Sequence, residues 1–374
     1  MDRTFDRRRF VVGSAALTAA VAATGKLQLG ASAQDAFWPP VEGLPPLKIG
    51  WSTIYTTPSW MTETQNEIEA EIKRLTDAGA TIDFQVFDAN GDTATQIAQI
   101  QTMIDQQYDI CLLIAGSATA LDQVVESAHN AGVIVVNWDS LVSTDQLTAI
   151  VFEDQVEWGR ITGQWMVDAI GGSGPILAIN GPAGIAVSEQ RWQGAKEVFD
   201  ANPDVEIVGT ANIEYNEAPA LPELESLLSA HPDVVGIWCQ AGAHASAALK
   251  TLQSLGMDLV PIAGENFNAF LKNWCDLVSN GSDFQAYGTA EANYMAVISL
   301  DLAILAKQGQ EVPSTVEVPL PEITNDNVCE WANPDLPDDW YSIPQVPGPA
   351  EIEQIISAAL AGGGTPSAEA TPAG

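Results

Sequence analysis

The sequence predicts an α/β protein of two lobes, each built on a parallel sheet, and three observations support this prediction. From Leu47 onward, short apolar runs of strand length alternate with longer amphipathic stretches. The same alternation begins again near Pro175. The apolar runs are almost continuously hydrophobic, which is typical of strands covered on both faces, as in parallel sheets. We therefore expect two Rossmann-like lobes, one for each array.

The first array supplies four strands and three helices. In one helical stretch Ile97, Ile100 and Ile104 recur at helical spacing, and Gly79 and Gly132 stand where two helices should end. The predicted strands are 47–54, 82–87, 110–115 and 133–137, and the predicted helices are 61–78, 93–107 and 119–131.

The second array repeats this order after a linker at residues 149–155. Its predicted strands are 175–180, 205–210, 234–239 and 260–264, followed by a late strand near 284–289. Its predicted helices are 188–200, 220–230 and 243–255, and a further helix spans 294–307. The two arrays together predict the two lobes.

Residues 1–33 are typical of an export signal. Arg7, Arg8 and Arg9 precede Phe10, and a modest apolar run ends in the small residues 31–33. The paired arginines indicate the twin-arginine route, and the apolar run is too short and weak for a membrane span. A basic amphipathic arm is the alternative interpretation. We expect a protein that is periplasmic or extracellular.

The remaining boundaries follow from changes in composition. Residues 34–46 hold four prolines and predict a tether. We assign residues 47–152 and 290–312 to the first lobe, and residues 153–289 and 313–345 to the second lobe with a hinge segment. Residues 346–374 should form a short helix near 350–360 and a disordered, low-complexity tail.

The chain is strongly acidic. Its 374 residues carry a formal net charge of −35. Five of its 14 Lys and Arg residues lie in the predicted signal, so the chain without the signal is more acidic still. Such a surface repels phosphate backbones and anionic headgroups, so we expect no nucleic-acid partner and no membrane binding.

The four cysteines fall into two pairs by context. Cys111 and Cys239 lie in apolar, strand-like runs and should be buried. Cys275 and Cys329 lie in polar surroundings and could form a disulfide in an oxidising compartment, although sequence alone does not fix connectivity. The scattered histidines show no zinc spacing, so we expect no metal and no cofactor.

Polar and aromatic residues cluster directly after the predicted strands. Ligands of open α/β sheets bind outside the carboxyl ends of the strands, and two facing sheets make the cleft between them the expected site. Trp60 and Tyr215 offer aromatic faces for a sugar-like ring, and Asp139 offers a carboxylate for hydroxyl groups. The structural alternative for each Trp is a place in the core. The predicted ligand-binding residues are Trp60, Trp138, Asp139, Glu189, Arg191, Tyr215, Gln240, Asn266 and Glu291.

The sequence gives little support for catalysis. It contains no GxSxG elbow, no HExxH and no phosphate-binding loop. A carboxylate pair such as Asp139 and Glu189 would suit glycoside hydrolysis, but acids are abundant in this chain. We expect a binding protein and no catalytic residues.

Several segments, in this order, resemble the type I periplasmic substrate-binding proteins, specifically the ribose-binding-protein-like branch that serves monosaccharide ABC importers. They include IGWSTIYTTPSW, AGVIVVNWDS, FEDQVEWGRITGQW, EQRWQGAKEVF and AGENFNAF. The resemblance covers about 47–330. It implies a three-strand hinge between the lobes, closure on a ligand, and docking of a monomer on permease subunits in the membrane.

The resemblance also implies roles for individual residues. Trp60 and Tyr215 fall where the family stacks aromatics on the sugar, and Asp139 matches the acid after the fourth strand. Asn266 stands where an Asp is usual, and Arg191 matches a family arginine.

Other positions depart from the family pattern. Ser140 and Glu189 replace arginines, and Glu291 lies near the position of an expected Gln. We therefore expect a neutral sugar or polyol other than ribose. The alternatives are an amine-bearing or cationic ligand, and a subunit that presents its ligand to a sensor.

Overall fold

A computed structural model describes residues 38–57 and 59–362. The predicted signal and the final tail lie outside these residues. The described chain forms two sheets, one of six and one of five strands, in which all strand pairs are parallel. The predicted α/β fold with two lobes is confirmed.

The first lobe is built on the six-stranded sheet, whose strand order is β11-β5-β4-β3-β1-β2. Its strands are β1 (Leu47–Thr53), β2 (Ile82–Asp88), β3 (Ile110–Leu113), β4 (Ile134–Trp138), β5 (Ala149–Phe152) and β11 (Thr315–Glu317). Its helices are α1 (Ser59–Asp77), α2 (Thr93–Asp105), α3 (Asp122–Asn130), α9 (Met295–Lys307) and α11 (Pro349–Gly362).

The second lobe is built on the five-stranded sheet, whose strand order is β10-β9-β8-β6-β7. Its strands are β6 (Gly174–Asn180), β7 (Val205–Asn212), β8 (Gly236–Cys239), β9 (Ile262–Glu265) and β10 (Ala286–Thr289). Its helices are α4 (Gln155–Ala169), α5 (Ala186–Ala201), α6 (Glu217–Ala230), α7 (Gly242–Leu255), α8 (Asn268–Ser279) and α10 (Val328–Trp331).

Residues 149–155 are not simply a linker, because Ala149–Phe152 form strand β5. This strand pairs with β4 on one side and β11 on the other. The prediction failed because the run is only four residues long, and its hydrogen-bond partner β11 lies more than 160 positions later in the chain.

The chain passes between the lobes after β5, between β10 and α9, and after β11. A fourth passage follows Tyr341, which pairs with Phe267 of the second lobe. The chain then returns to the first lobe, where α11 packs on α9 and β11. The expected boundary at residue 313 is therefore wrong, since Thr315–Glu317 belong to the first sheet. A three-residue edge strand in a proline-rich segment gives too little periodicity to be recognised.

Two glycines bring α4 and α5 into backbone contact. A Cβ on Gly159 would lie 2.0 Å from the carbonyl oxygen of Arg191, and one on Gly194 would lie 1.9 Å from the carbonyl oxygen of Val156. No side chain fits in that space. The close approach fixes the position of Arg191 against α4.

Cys275 and Cys329 form a disulfide that joins α8 to α10. Cys111 and Cys239 are free and buried, as expected. Across residues 38–57 and 59–362, no helix is both long and apolar enough to cross a membrane.

Candidate ligand-binding cavity between the lobes

Residues that directly follow strands of both sheets enclose a cavity between the lobes. Its volume is about 50 Å³, compared with about 10–15 Å³ for one water. It is lined by Ile54, Tyr55, Trp60, Met61, Ile114, Ala115, Asp139, Ser140, Ile185, Val187, Arg191, Tyr215, Glu265, Glu291 and Tyr341. The lining therefore combines aromatic rings, aliphatic side chains and a few charged groups.

The aromatic part of the lining comes from both lobes. Trp60 lies in the first turn of α1, is buried, and donates from Nε1 to the carbonyl oxygen of Glu291 at 3.2 Å. Tyr55 follows β1, and Tyr215 follows β7. The ring of Tyr215 is stacked on buried His244, with centroids 6.1 Å apart. These contacts fix rings from different lobes around one space.

Arg191 of α5 supplies the positive charge of the cavity. It is 1% exposed and forms ion pairs at 2.9 Å with Glu265 and with Glu291. It also donates from Nε to Oε1 of Gln155 at 2.7 Å, and its Cζ lies 4.3 Å from the centroid of the Trp158 ring. The guanidinium is thus held in place by groups of the protein itself.

Asp139 is the acid of the cavity lining that forms no ion pair with Arg191, whose partners there are Glu265 and Glu291. It follows β4 in a left-handed conformation, with a φ of 58°, and is 8% exposed. Among the described residues no donor reaches its Oδ1. Burial raises the pKa of Asp139 well above its usual range, and the neighbouring Glu291 carboxyl raises it further. This strained conformation aims the carboxyl into the cavity.

Two further acids surround this group. Burial raises the pKa of Glu265 to about 7 against the lowering effect of Arg191. Burial, and then the charge of Glu291, raises the pKa of Glu153 well above its usual range, while its Oε1 accepts from the backbone N–H of Ala292 at 3.1 Å. Around the cavity and the adjoining hinge, acidic side chains are therefore more numerous than the guanidinium groups that could pair with them.

A larger, open cavity lies outside the first one. It has a volume of about 590 Å³ and includes Asp88, Glu214 and Asn216. Tyr55 and Tyr215 line both cavities. The two phenol rings therefore separate the inner cavity from the open cleft.

The structure brings five of the nine sequence-predicted residues together at the inner cavity, namely Trp60, Asp139, Arg191, Tyr215 and Glu291. Trp138 lies instead in the core, stacked on Trp51 with centroids 6.2 Å apart. Strand alternation explains this difference, because Trp138 and Asp139 point to opposite sides as β4 ends.

Glu189, Gln240 and Asn266 also lie outside the cavity lining. Glu189 is exposed, and its Oε1 accepts from the N–H of Gly184 at 3.0 Å. Buried Gln240 bonds Gly181, Asn180 and Ser188. Buried Asn266 donates to the carbonyl oxygen of Ser342 at 3.1 Å. The latter two amides hold loops together behind the cavity.

The cavity also uses residues that the prediction omitted. Glu265 is the last residue of β9, directly before the predicted Asn266. The strand end therefore indicated the correct region, but the prediction chose the neighbouring residue. Ile185 and Val187 replace the expected Glu189, because the first turn of α5 turns its apolar side inward. Tyr341 comes from the proline-rich segment, which carried no signal.

Glu63 ties α1 to the hinge and should make stability depend on pH. It accepts from the backbone N–H of Tyr341 at 2.7 Å and from Nδ2 of Asn293 at 3.2 Å. Burial raises its pKa from 4.5 to about 9. The folded state then holds a proton that the unfolded chain releases above its ordinary pKa, so this group lowers the free energy of unfolding as pH rises towards the folded pKa.

We expect Glu63→Gln to reduce the fall in unfolding free energy between about pH 5 and pH 9, as measured by urea denaturation. Glu69→Gln, at an exposed position of the same helix, serves as the control and should retain the full fall. An identical pH dependence in both variants would show that Glu63 is ionised in the folded protein.

No group of three or more metal-ligating side chains with the geometry for a metal ion occurs in the described parts of the chain.

Comparison with known proteins places this geometry in context. A family model described as a periplasmic binding protein domain matches residues 49–302. The chain is 27% identical over 279 residues to the xylitol-binding protein of Mycolicibacterium smegmatis, covering 74% of this chain and 77% of that protein. It is 23% identical over 235 residues to the ribose import binding protein of Bacillus subtilis, covering 63% and 75%. A solved ABC transporter solute-binding protein from Thermobispora bispora superposes with a TM-score of 0.74 at 21% identity, covering 85% and 97%.

Proposed function

Because the chain belongs to the periplasmic binding protein domain family, we propose that it is the extracytoplasmic solute-binding subunit of an ABC importer. It captures a small sugar or polyol between its lobes and delivers it to permease subunits in the membrane. The observation that carries this proposal is the enclosed cavity, in which residues of both lobes surround one space.

The aromatic residues suit the apolar face of a polyhydroxylated ligand. Trp60 and Tyr215 approach from different lobes, and flat rings cover the C–H face of a sugar while adding stacking energy. The charged residues suit its hydroxyl groups, because carboxylates accept from hydroxyls and Arg191 donates to them. The printed names of two relatives, xylitol-binding and ribose import binding protein, support this ligand class.

The enclosure of the cavity supports a cycle of opening and closing. In the described conformation Tyr55 and Tyr215 line both the inner cavity and the open cleft, so separation of the lobes would move these rings apart and widen the path of a ligand. The hinge passages, which carry Glu153 and Glu291, are the segments that change conformation. We propose export by the twin-arginine route, action as a monomer, and binding without chemical conversion.

The proposal is tested by calorimetry with a panel of neutral pentoses, hexoses and polyols. We expect at least one to bind with micromolar affinity, equivalent to about 8 kcal/mol. Trp60→Ala should weaken that binding by about 10- to 100-fold, equivalent to about 1.4–2.8 kcal/mol, because it removes a face of the cavity and the bond to the hinge carbonyl.

Trp192→Ala is the matched control, since Trp192 packs on Trp238 and lies outside the cavity lining. It should leave affinity within about threefold of the parent value. Failure of every sugar and polyol to bind would contradict the proposed ligand class, and equal losses in both variants would contradict the placement of the ligand against Trp60.

A further inference from the structure

The inner cavity holds more acidic than basic groups. Asp139, Glu265 and Glu291 line it, and Arg191 is the one basic side chain among its described lining residues. Burial lowers the pKa of His244, behind Tyr215, to about 4, so this ring adds no charge near neutral pH. If all three carboxyls were ionised, the lining would carry two uncompensated negative charges.

Arg191 is already engaged by two of these acids. Its ion pairs with Glu265 and Glu291 are both 2.9 Å long, and its Nη1 also donates to the carbonyl oxygen of Gln240 at 2.9 Å. The guanidinium therefore compensates the second-lobe and hinge acids. Asp139, from the first lobe, has no such partner.

Asp139 is buried and turned towards another acid. It is 8% exposed, and no donor of the described residues reaches its Oδ1. Asp139 and Glu291 line the same cavity. Burial, and then the charge of Glu291, raises the pKa of the Asp139 carboxyl well above its usual range, so Asp139 keeps its proton in the free protein. Glu153, Tyr55 and Arg191 are the other charged or titratable groups that act on Asp139.

We propose that the preferred ligand is a sugar or polyol with one protonated amine, and that its ammonium group donates to the unpartnered carboxyl of Asp139, next to Glu291 in the cavity lining. This inference rests on the proposed function and specifies its ligand class. The ammonium supplies the donors that Asp139 lacks, and its positive charge replaces that of the released proton, so the net charge of the lining stays the same. The rings of Tyr55, Trp60 and Tyr215 border the same space and favour a cation near their faces.

The exchange has a defined proton balance. In the free protein the carboxyl of Asp139 carries the proton. On binding, that O–H bond breaks, the proton passes to the solvent, and the N–H groups of the ammonium donate to the carboxylate of Asp139. One proton is released for each amine bound, whereas a neutral polyol leaves the proton on Asp139.

The test uses matched pairs that differ by one amine: D-glucose with D-glucosamine, and D-sorbitol with 1-amino-1-deoxy-D-sorbitol. Each is titrated calorimetrically near neutral pH in phosphate and in HEPES, whose ionisation enthalpies differ and neither of which carries a primary amine. We expect the amine of at least one pair to bind tenfold tighter or better than its neutral partner. Its apparent enthalpy should differ between buffers by the amount expected for release of close to one proton.

Asp139→Asn keeps the shape of the side chain and removes the acid. We expect it to abolish the proton release and to bring the affinities of the amine and its neutral partner within threefold of each other. Asp145→Asn, the same change at an exposed position of the first lobe outside the cavity lining, is the control and should retain the tenfold preference and the proton release. Proton release by the parent protein is measured without any variant, so the test does not depend on the folding of Asp139→Asn.

The outcomes separate this inference from the proposed function. If neutral compounds bind as tightly as their amines, or amines bind without proton release, the inference is wrong and the proposed function stands. If no member of the pairs and no neutral sugar or polyol binds, the proposed function is wrong and the inference falls with it.

Discussion

Replacing Arg191 with methionine is expected to lower the free energy of unfolding by about 3–5 kcal/mol. The side chain is 1% exposed and is the shared partner of Glu265 and Glu291. Methionine retains much of the apolar volume but leaves buried Glu265 and the 13% exposed Glu291 without their counter-charge. Since burial raises the pKa of Glu265 to about 7, this acid is largely neutral near about pH 5, and the loss should shrink when urea denaturation is repeated there.

Arg160→Met, on α4, is the matched control. Arg160 also pairs with two acids, Glu157 and Glu197, but its side chain is 44% exposed. Exposed pairs contribute about 0–1 kcal/mol, so this variant should remain within about 1 kcal/mol of the parent protein. Losses of equal size in the two variants would contradict the structural role assigned to Arg191.

Replacing Trp138 with alanine is expected to cost about 3–5 kcal/mol of unfolding free energy, as large-to-small substitutions of core aromatics do. The indole is fully buried and stacked on Trp51, so its loss leaves a cavity under the first sheet. Urea denaturation measures the cost. A loss below about 1 kcal/mol would place Trp138 outside the core.

Trp138→Phe separates stability from binding. It keeps an aromatic ring in the core, so we expect a smaller loss of stability and a ligand affinity within about threefold of the parent value. Leu221→Ala, at an exposed position of α6, controls for nonspecific effects on unfolding and should change the free energy by less than about 0.5 kcal/mol. A large loss of affinity in Trp138→Phe would restore Trp138 to the binding site.

These two substitutions test how the site is built. Arg191 is held by α4, the second sheet and the hinge at once, and Trp138 supports the strand end from which Asp139 projects. The cavity is therefore fixed on one side by a buried charge network and on the other by a packed core.

Much of the fold could be predicted from periodicity alone. The boundaries of most predicted strands and helices agree with the structure within a few residues, as for β2, α2 and α7. These elements have long, regular apolar patterns that reflect burial on fixed faces. The disulfide between Cys275 and Cys329 was one of the alternatives left open, and only the packing of α8 on α10 selects it.

The candidate site was less predictable. The rule that ligands bind after strand ends identified Trp60, Asp139, Tyr215 and the region of Glu265. It did not distinguish a side chain that faces the cavity from one that faces the core, so Trp138 and Gln240 were included. The prediction missed Tyr341 because this residue lies in the proline-rich segment that follows both arrays. That segment has no periodic pattern from which its position could be predicted.

The α/β arrays, the strongly acidic composition and the family resemblance can all be recognised in the amino-acid sequence, because each depends on local pattern or composition. Three features emerge from the folded chain instead: which acids share one guanidinium, which Trp belongs to the core, and that Thr315–Glu317 complete the first sheet. They do so because burial and charge pairing depend on contacts between residues far apart in the chain. No local pattern records those contacts.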